Sequence, residues 1–374
     1  MKQEIVAKQE TPMKIFDEIY PKYKIVSIVG MSKNAGKTVT LNKIISQANE
    51  AGVALGLIST GRDGERKDIL TKTDKPAILV KKGTIFTTVE NLINNNQAGL
   101  EILQVTACNT PMGRVILAKA REDVFVEISG PNSSNSIRLM CEEMLANGAE
   151  LVLIDGSLDR RSSAAPYISE GTILASGAAL SRSMNTVIDK TLHIVETYSI
   201  EPVEDIEARE IARDIIENGK VGIINKDDSF RYLDLDTSLL SGKEMASEID
   251  DDTAYLVLSG SATGETLKDL VTSVKDNLTL AKDNLLSAKD NLTTAKDNYK
   301  VVVRDPTRIF ITKKDLLILK RLGLNLRTVD SINIISITIN PVAPEGYYFE
   351  GEEFLKRMRQ AIPNIPVFDV VQGG

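Results

Sequence analysis

The chain has 374 residues, of which 42% are apolar and 26% charged, and its formal net charge is −7. This length suits two domains of ordinary size, each with a globular core. The acidic balance and the lack of a basic run argue against nucleic acid as a partner, and two cysteines and one histidine exclude a disulfide scaffold and a multi-histidine metal site.

The first 22 residues are charged and periodic, without the apolar stretch of a secretory signal. We therefore expect an N-terminal helical segment over 1–22 and a cytoplasmic protein. No apolar run reaches the length that spans a bilayer, so no contact with a membrane is expected.

Residues 23–200 alternate short apolar runs with amphipathic helical segments. Such runs, separated by helices, indicate an α/β domain whose mainly parallel sheet carries helices on both faces. The predicted strands cover 24–29, 53–59, 77–81, 101–107, 123–128, 150–154 and 190–195.

Two further regions complete the predicted organisation. Residues 201–252 are expected to form a connector with a helix and a hairpin, and 253–374 a second, smaller α/β domain. The strands of that domain are expected at 255–259, 300–303, 332–339 and 366–371, with helices at 313–322 and 351–362.

Residues 275–298 repeat a seven-residue unit, KDNLTLA, KDNLLSA, KDNLTTA and KDN. Leu278, Leu285 and Leu292 recur every seven residues, which gives a helix a narrow apolar stripe. A lengthened helix without chemistry is the favoured interpretation, and an arm that binds a partner is the alternative.

A glycine-rich loop follows the first predicted strand in the sequence KIVSIVGMSKNAGKTVTL. Gly30 ends the strand, and Gly36, Lys37 and Thr38 open a helix, so backbone N–H groups are expected to converge on phosphate oxygens. Lys37 would neutralise the β and γ phosphates as a catalytic cation, and the Thr38 hydroxyl would bind magnesium. The residues expected to contact a nucleotide are Gly30, Lys33, Asn34, Ala35, Gly36, Lys37, Thr38 and Val39.

Asp155 follows four apolar residues of a predicted strand and precedes Gly156. An acid at the carboxyl end of a strand in this class of sheet can hold magnesium, directly or through water. The alternative for Asp155 is a cap on the next helix, and the metal role is favoured because the phosphate loop precedes it.

Two more acids are candidates for the same crevice. Asp63 follows the second predicted strand among glycines and is expected either to position an attacking water as a catalytic residue or to bind magnesium; a polar turn is equally compatible. Glu127 lies in a predicted strand, where it either contacts the metal or is buried without a chemical role.

The segment NKDD at 225–228 matches the guanine-reading N-K-x-D pattern, but it lies between two apolar runs where Asn and Asp are ordinary turn residues. The turn is favoured, so ATP with Mg²⁺ is the expected cofactor pair and GTP stays open. His193 is expected in a strand without a chemical role. Cys108 precedes a glycine turn and could line the crevice, but no neighbouring group would activate its thiol.

The phosphate loop resembles that of dethiobiotin synthetase and the cobyrinate amidases, in the SIMIBI branch of the P-loop NTPases. The likeness rests on Gly30, Gly36, Lys37 and Thr38 and covers about the first 190 residues. Lys33 is similar to the lysine that MinD-type ATPases extend across a dimer, although it is shifted by one position. The resemblance implies a P-loop NTPase domain at 23–200, and the Lys33 likeness a homodimer.

A narrower resemblance rests on STGRDGE, TPMGRVILAKA, VEISGPNSS, LVLIDGSLDRRSSA, RDPTRIFIT and ITINPVAPEGYYFEGEEF. These segments are similar to the reactivase subunits of cobalamin-dependent lysine or ornithine aminomutases, proteins that help exchange damaged cobalamin. The resemblance implies an accessory ATPase whose partners are the aminomutase and a second accessory ATPase.

Two other functions were weighed. A ligase of the dethiobiotin synthetase kind would use Arg62, Arg66 and Arg114 to clamp a carboxylate. A metallochaperone GTPase is supported by NKDD alone and lacks the cysteine or histidine cluster that metal delivery requires.

Overall fold

The structure, a computed structural model, describes residues 14–60, 77–93, 99–157, 165–235, 237–284 and 299–371. Within these ranges no helix combines the length and the apolar character that crossing a bilayer requires.

The strands are numbered in chain order. They are β1 (Ile25–Gly30), β2 (Leu55–Ser59), β3 (Ile78–Val80), β4 (Ile85–Val89), β5 (Leu100–Thr110), β6 (Gly113–Ala120), β7 (Val124–Val126), β8 (Leu151–Ser157), β9 (Gly171–Gly177), β10 (Gly222–Asn225), β11 (Phe230–Tyr232), β12 (Thr253–Leu258), β13 (Ala262–Thr263), β14 (Lys300–Val303), β15 (Ile309–Phe310), β16 (Leu326–Thr328), β17 (Ile334–Asn340) and β18 (Val367–Asp369).

The helices are numbered in the same way. They are α1 (Ile15–Ile19), α2 (Lys37–Glu50), α3 (Ser134–Ala146), α4 (Met184–Tyr198), α5 (Ile206–Glu217), α6 (Gly242–Ser247), α7 (Gly264–Asn284), α8 (Lys313–Arg321) and α9 (Gly351–Ala361).

The chain divides into two compact units. The first joins Met1–Leu192 to Ile334–Gly374, and the second is His193–Asn333. The predicted grouping of 253–374 is therefore wrong in its last part, because β17 and β18 pair into the sheet of the first unit.

The first unit is built on a mixed sheet. Among the described residues, nine strands lie in the order β18-β17-β9-β1-β8-β2-β4-β6-β5. The pairs from β18 to β4 are parallel, and the β4-β6 and β6-β5 pairs are antiparallel. The expected α/β class with a mainly parallel sheet is confirmed.

Helices cover both faces of this sheet because successive strand residues point to opposite sides. On one face Ile28 packs in a core that includes Ile44 of α2 and residues of α1. On the other face Ile154 packs with Met144 of α3. Central strands buried on both sides explain the uninterrupted apolar runs of the sequence.

The second unit has its own sheet, with the order β11-β10-β12-β14-β16. The pair β10-β11 is the expected hairpin, and its turn lies at NKDD, where Asp228 has φ +63°. The region 201–252 is nevertheless more than a connector, because β10 also pairs with β12 inside the sheet.

The predicted strand at 190–195 is wrong, since these residues lie in α4. Val187, Thr191 and Ile194, three or four residues apart, are buried, which is the spacing of one helix face. Conversely, β9 was missed by the sequence analysis, although every one of its residues is buried. The repeats begin in α7, and residues 285–298 of the predicted repeat helix lie outside the described residues.

The assignment of β17 to the first unit predicts a local effect of Ile337→Ala. Ile337 is fully buried between β9 and β18, so its truncation should cost about 2–5 kcal/mol of stability. Hydrogen exchange should accelerate in β9 and stay unchanged in β12. The exposed Val342→Ala is the matched control, and acceleration confined to β12 would contradict the assignment.

Candidate functional site

The phosphate loop lies at the carboxyl edge of the sheet, between β1 and α2. Gly30, the last residue of β1, pairs with Ser157 of β8 and Ala175 of β9, and Met31 N–H donates to the Ala175 carbonyl at 2.9 Å. The carboxyl ends of β8, β9 and β17 lie at the same edge because these strands run parallel to β1. In open α/β sheets this edge is where ligands bind.

The loop uses two left-handed backbone conformations. Asn34 has φ +65°, and Gly36, the N-cap of α2, has φ +99°. A left-handed residue followed by a helical one turns successive N–H groups to the same side, an arrangement that binds anions. Ala35 is buried against the protein, whereas Lys33 and Asn34 are exposed. The tip of the loop is therefore accessible to solvent, while Ala35 holds its base against the protein core.

Lys37 and Asp155, predicted separately from the sequence, are in direct contact. Lys37 Nζ lies 2.8 Å from Asp155 Oδ1, and the side chain of Asp155 is only 7% exposed. Asp155 stands in β8 opposite Ile28 of β1 and Ser59 of β2, and the Ser59 hydroxyl donates to Asp155 Oδ2 at 3.4 Å. A carboxylate this deeply buried requires a cation, which Lys37 supplies. The strand runs on to Ser157 rather than ending at Asp155 as expected.

Among the other predicted metal ligands, Thr38 is exposed in the first turn of α2, next to Lys37. Glu127 is half-buried and lies just after β7 rather than inside it. The segment after Glu127 reaches the end of β2, since a Cβ at Gly130 would lie 2.1 Å from the Ser59 carbonyl oxygen.

Asp63, Arg62 and Arg66 lie outside the described residues. In the part of the chain that the structure describes, no group of three or more His, Cys, Asp or Glu side chains could hold a metal ion. The set Thr38, Asp155, Asp63 and Glu127 therefore stays a prediction.

One contributor to the site was missed by the sequence analysis. The strand β17 ends at Asn340, and a Cβ placed on Gly36 would lie 2.7 Å from Asn340 Cβ. Thr338 of the same strand hydrogen-bonds Thr40 of α2, with 2.7 Å between their hydroxyl oxygens. The only sequence signal was an apolar run ending in a polar residue, about 300 residues from the loop along the chain.

Three other residues singled out in the sequence, Arg114, Cys108 and His193, lie outside the loop and the strand and helix that flank it. Arg114 forms two hydrogen bonds with Glu90, at 3.2 and 3.0 Å, and these lower the pKa of the Glu90 carboxyl. Cys108 lies in β5, at the end of the strand order and separated from β1 by four strands. His193 lies in α4, and its Nε2 is 2.9 Å from the Ile311 carbonyl oxygen.

Comparison of the chain with protein-family models, with curated proteins and with solved structures found no match. Left-handed loop residues at the start of a helix, an ammonium and a carboxylate are groups that bind phosphate and magnesium in proteins, and here Gly36, Lys37 and Asp155 supply them.

The buried pair predicts strong coupling between Lys37 and Asp155. Lys37→Met leaves a nearly buried carboxylate without its cation and should cost about 3–5 kcal/mol. Adding Asp155→Asn should recover part of that loss, and both free energies are measured from urea dependence of hydrogen exchange in β8. Simple additivity of the two changes would refute the coupling. The exposed pair Arg114 and Glu90, treated in the same way, should show little coupling.

Proposed function

We propose that this protein binds and hydrolyses a nucleoside triphosphate, ATP, with Mg²⁺ at the phosphate loop, as a P-loop NTPase of the SIMIBI type. The observation that carries the proposal is the 2.8 Å contact between Lys37 and Asp155 beside the left-handed turn at Gly36. A GKT sequence that occurred by chance would not be expected to place its lysine against a buried acid on the adjacent strand.

The residues have distinct roles in this proposal. The N–H groups around Gly36 and the N-terminus of α2 hold the phosphate oxygens. Lys37 exchanges its carboxylate partner for the β and γ phosphates, and Asp155 then faces the metal, directly or through water. Thr38 supplies a hydroxyl ligand. Magnesium, when bound, neutralises charge that develops on the phosphoryl oxygens.

The attacking water needs a positioning group, and Asp63 is the proposed one, with Glu127, whose carbonyl accepts from Thr88 of β4, as a further acid. Nucleotide turnover is proposed to drive an accessory action on a client, a cobalamin-dependent aminomutase. That part rests on the resemblance of segments from both compact units to reactivase subunits. A second accessory ATPase and a second copy of this chain remain predicted partners.

The ligase alternative has less support. Of its three arginines, Arg114 already forms two hydrogen bonds with Glu90, and Arg62 and Arg66 lie outside the described residues. The GTPase alternative has less still, since NKDD forms a hairpin turn whose Asp227 carboxylate accepts from Ser229.

The roles of Thr38 and Lys37 predict different losses. Thr38→Val keeps the side-chain volume and removes the hydroxyl, so it should weaken ATP binding about tenfold with Mg²⁺ and much less with EDTA, measured by calorimetry. Lys37→Ala should abolish binding under both conditions. Unchanged ATP affinity in Lys37→Ala would refute the phosphate site. Lys43→Ala, on the same helix, is the matched control.

The accessory role predicts that purified aminomutase stimulates basal ATP hydrolysis. Stimulation is expected because client binding couples to the nucleotide state. The measurement is phosphate release with aminomutase present and absent, using Asp63→Asn as the variant expected to lose turnover. Hydrolysis that requires a small carboxylic acid and yields a joined product would instead support the ligase.

A further inference from the structure

We propose that Asn340, at the end of β17, is a positioning residue that holds the phosphate loop in its anion-binding conformation. The inference rests on the proposed function and adds a residue from the distant C-terminal part of the first unit. It is carried by the packing of Asn340 against two glycines.

The backbone of Gly36 needs a support outside the residue itself. Glycine adopts positive and negative φ with similar ease, so the value of +99° is not fixed by the residue itself. Within the loop, the Ala35 N–H donates to the Ser32 carbonyl at 3.3 Å and the Ser32 hydroxyl to the Lys33 carbonyl at 3.2 Å. The Gly36 carbonyl accepts from the N–H and the hydroxyl of Thr40 at 2.9 and 3.1 Å, but these bonds do not involve the N–H side of Gly36, where φ is set. The conformation of the loop therefore depends on its surroundings.

Asn340 packs closely against Gly36 and Gly177. Cβ of Asn340 lies 2.7 Å from the position that a Cβ on Gly36 would take, and Cγ and Nδ2 lie 3.5 Å from it. On the other side, a Cβ at Gly177 would lie 2.6 Å from the Asn340 carbonyl oxygen and 3.0 Å from that of Ala35. Asn340 thus fills the space between the loop and the end of β9.

Asn340 is itself held in place by its own hydrogen bond and by its strand. Its Oδ1 accepts the Val342 N–H at 3.0 Å, which fixes the side-chain rotamer. The strand that carries it is anchored by the buried Ile337 and Ile339 and by the bond between Thr338 and Thr40. A rigid side chain on an anchored strand restricts Gly36 to the conformation that turns the following N–H groups toward an anion.

The test is a graded series at Asn340. Asn340→Ser keeps a short hydrogen-bond acceptor, Asn340→Ala keeps only Cβ, and Asn340→Gly removes the contact. Affinity is measured for magnesium ATP and for magnesium inorganic triphosphate, which has no base. If the competent loop falls to a tenth of the molecules, Kd rises about tenfold. We expect that loss for both ligands in Asn340→Gly, a smaller one in Asn340→Ala and rescue in Asn340→Ser.

Hydrogen exchange of residues 31–37 without ligand provides a second readout, independent of binding. Exchange should accelerate in the same order while β1 and the urea midpoint stay unchanged. The exposed Val342→Ala, which keeps the N–H that Asn340 accepts, serves as control. Affinity lost for ATP alone would mean that Asn340 contacts the base and would overturn the positioning role, as would unchanged loop exchange. Wild-type protein that binds neither ligand would refute the proposed function instead.

Discussion

The buried carboxylate of Asp155 is a strong physical constraint on the first unit. It lies in β8 between two apolar strands and is only 7% exposed, in an environment where an unpaired charge would cost several kcal/mol. Lys37 neutralises it, and since Lys37 is the first residue of α2, the ion pair fixes where that helix begins relative to the sheet. The loop between β1 and α2 must then close a short distance, which its left-handed residues make possible.

The same pair also bears on the proposed function. In the proposed function, a lysine already held by a buried acid would stand in place before phosphate binds, so little conformational entropy would be lost on binding. A ligand that carries both an anion and a cation would give Lys37 and Asp155 each a new partner of opposite charge.

Local patterns in the sequence were sufficient to predict β1, β2 and β8, the start of α2 after a glycine-containing turn, and the place of Asp155 toward the carboxyl end of its strand. Each depends on a few adjacent residues whose spacing has a direct physical meaning. Elements whose conformation depends on residues distant in the sequence could not be predicted in this way. Residues 190–195 look like a short apolar strand, but the buried positions in the longer α4 follow the helical period. The short β9 was overlooked because glycine and serine interrupt its apolar character.

Sheet membership could not be read from the sequence, because pairing of β17 with β9 joins segments separated by the whole second unit. That connectivity also has a consequence for biosynthesis. A ribosome releases β1, the phosphate loop and Asp155 long before it makes β17, so the nascent first unit exposes an unpaired edge at β9 while the second unit is translated. Chains interrupted before residue 334 would carry every predicted phosphate-binding residue and still lack the strand that supports them.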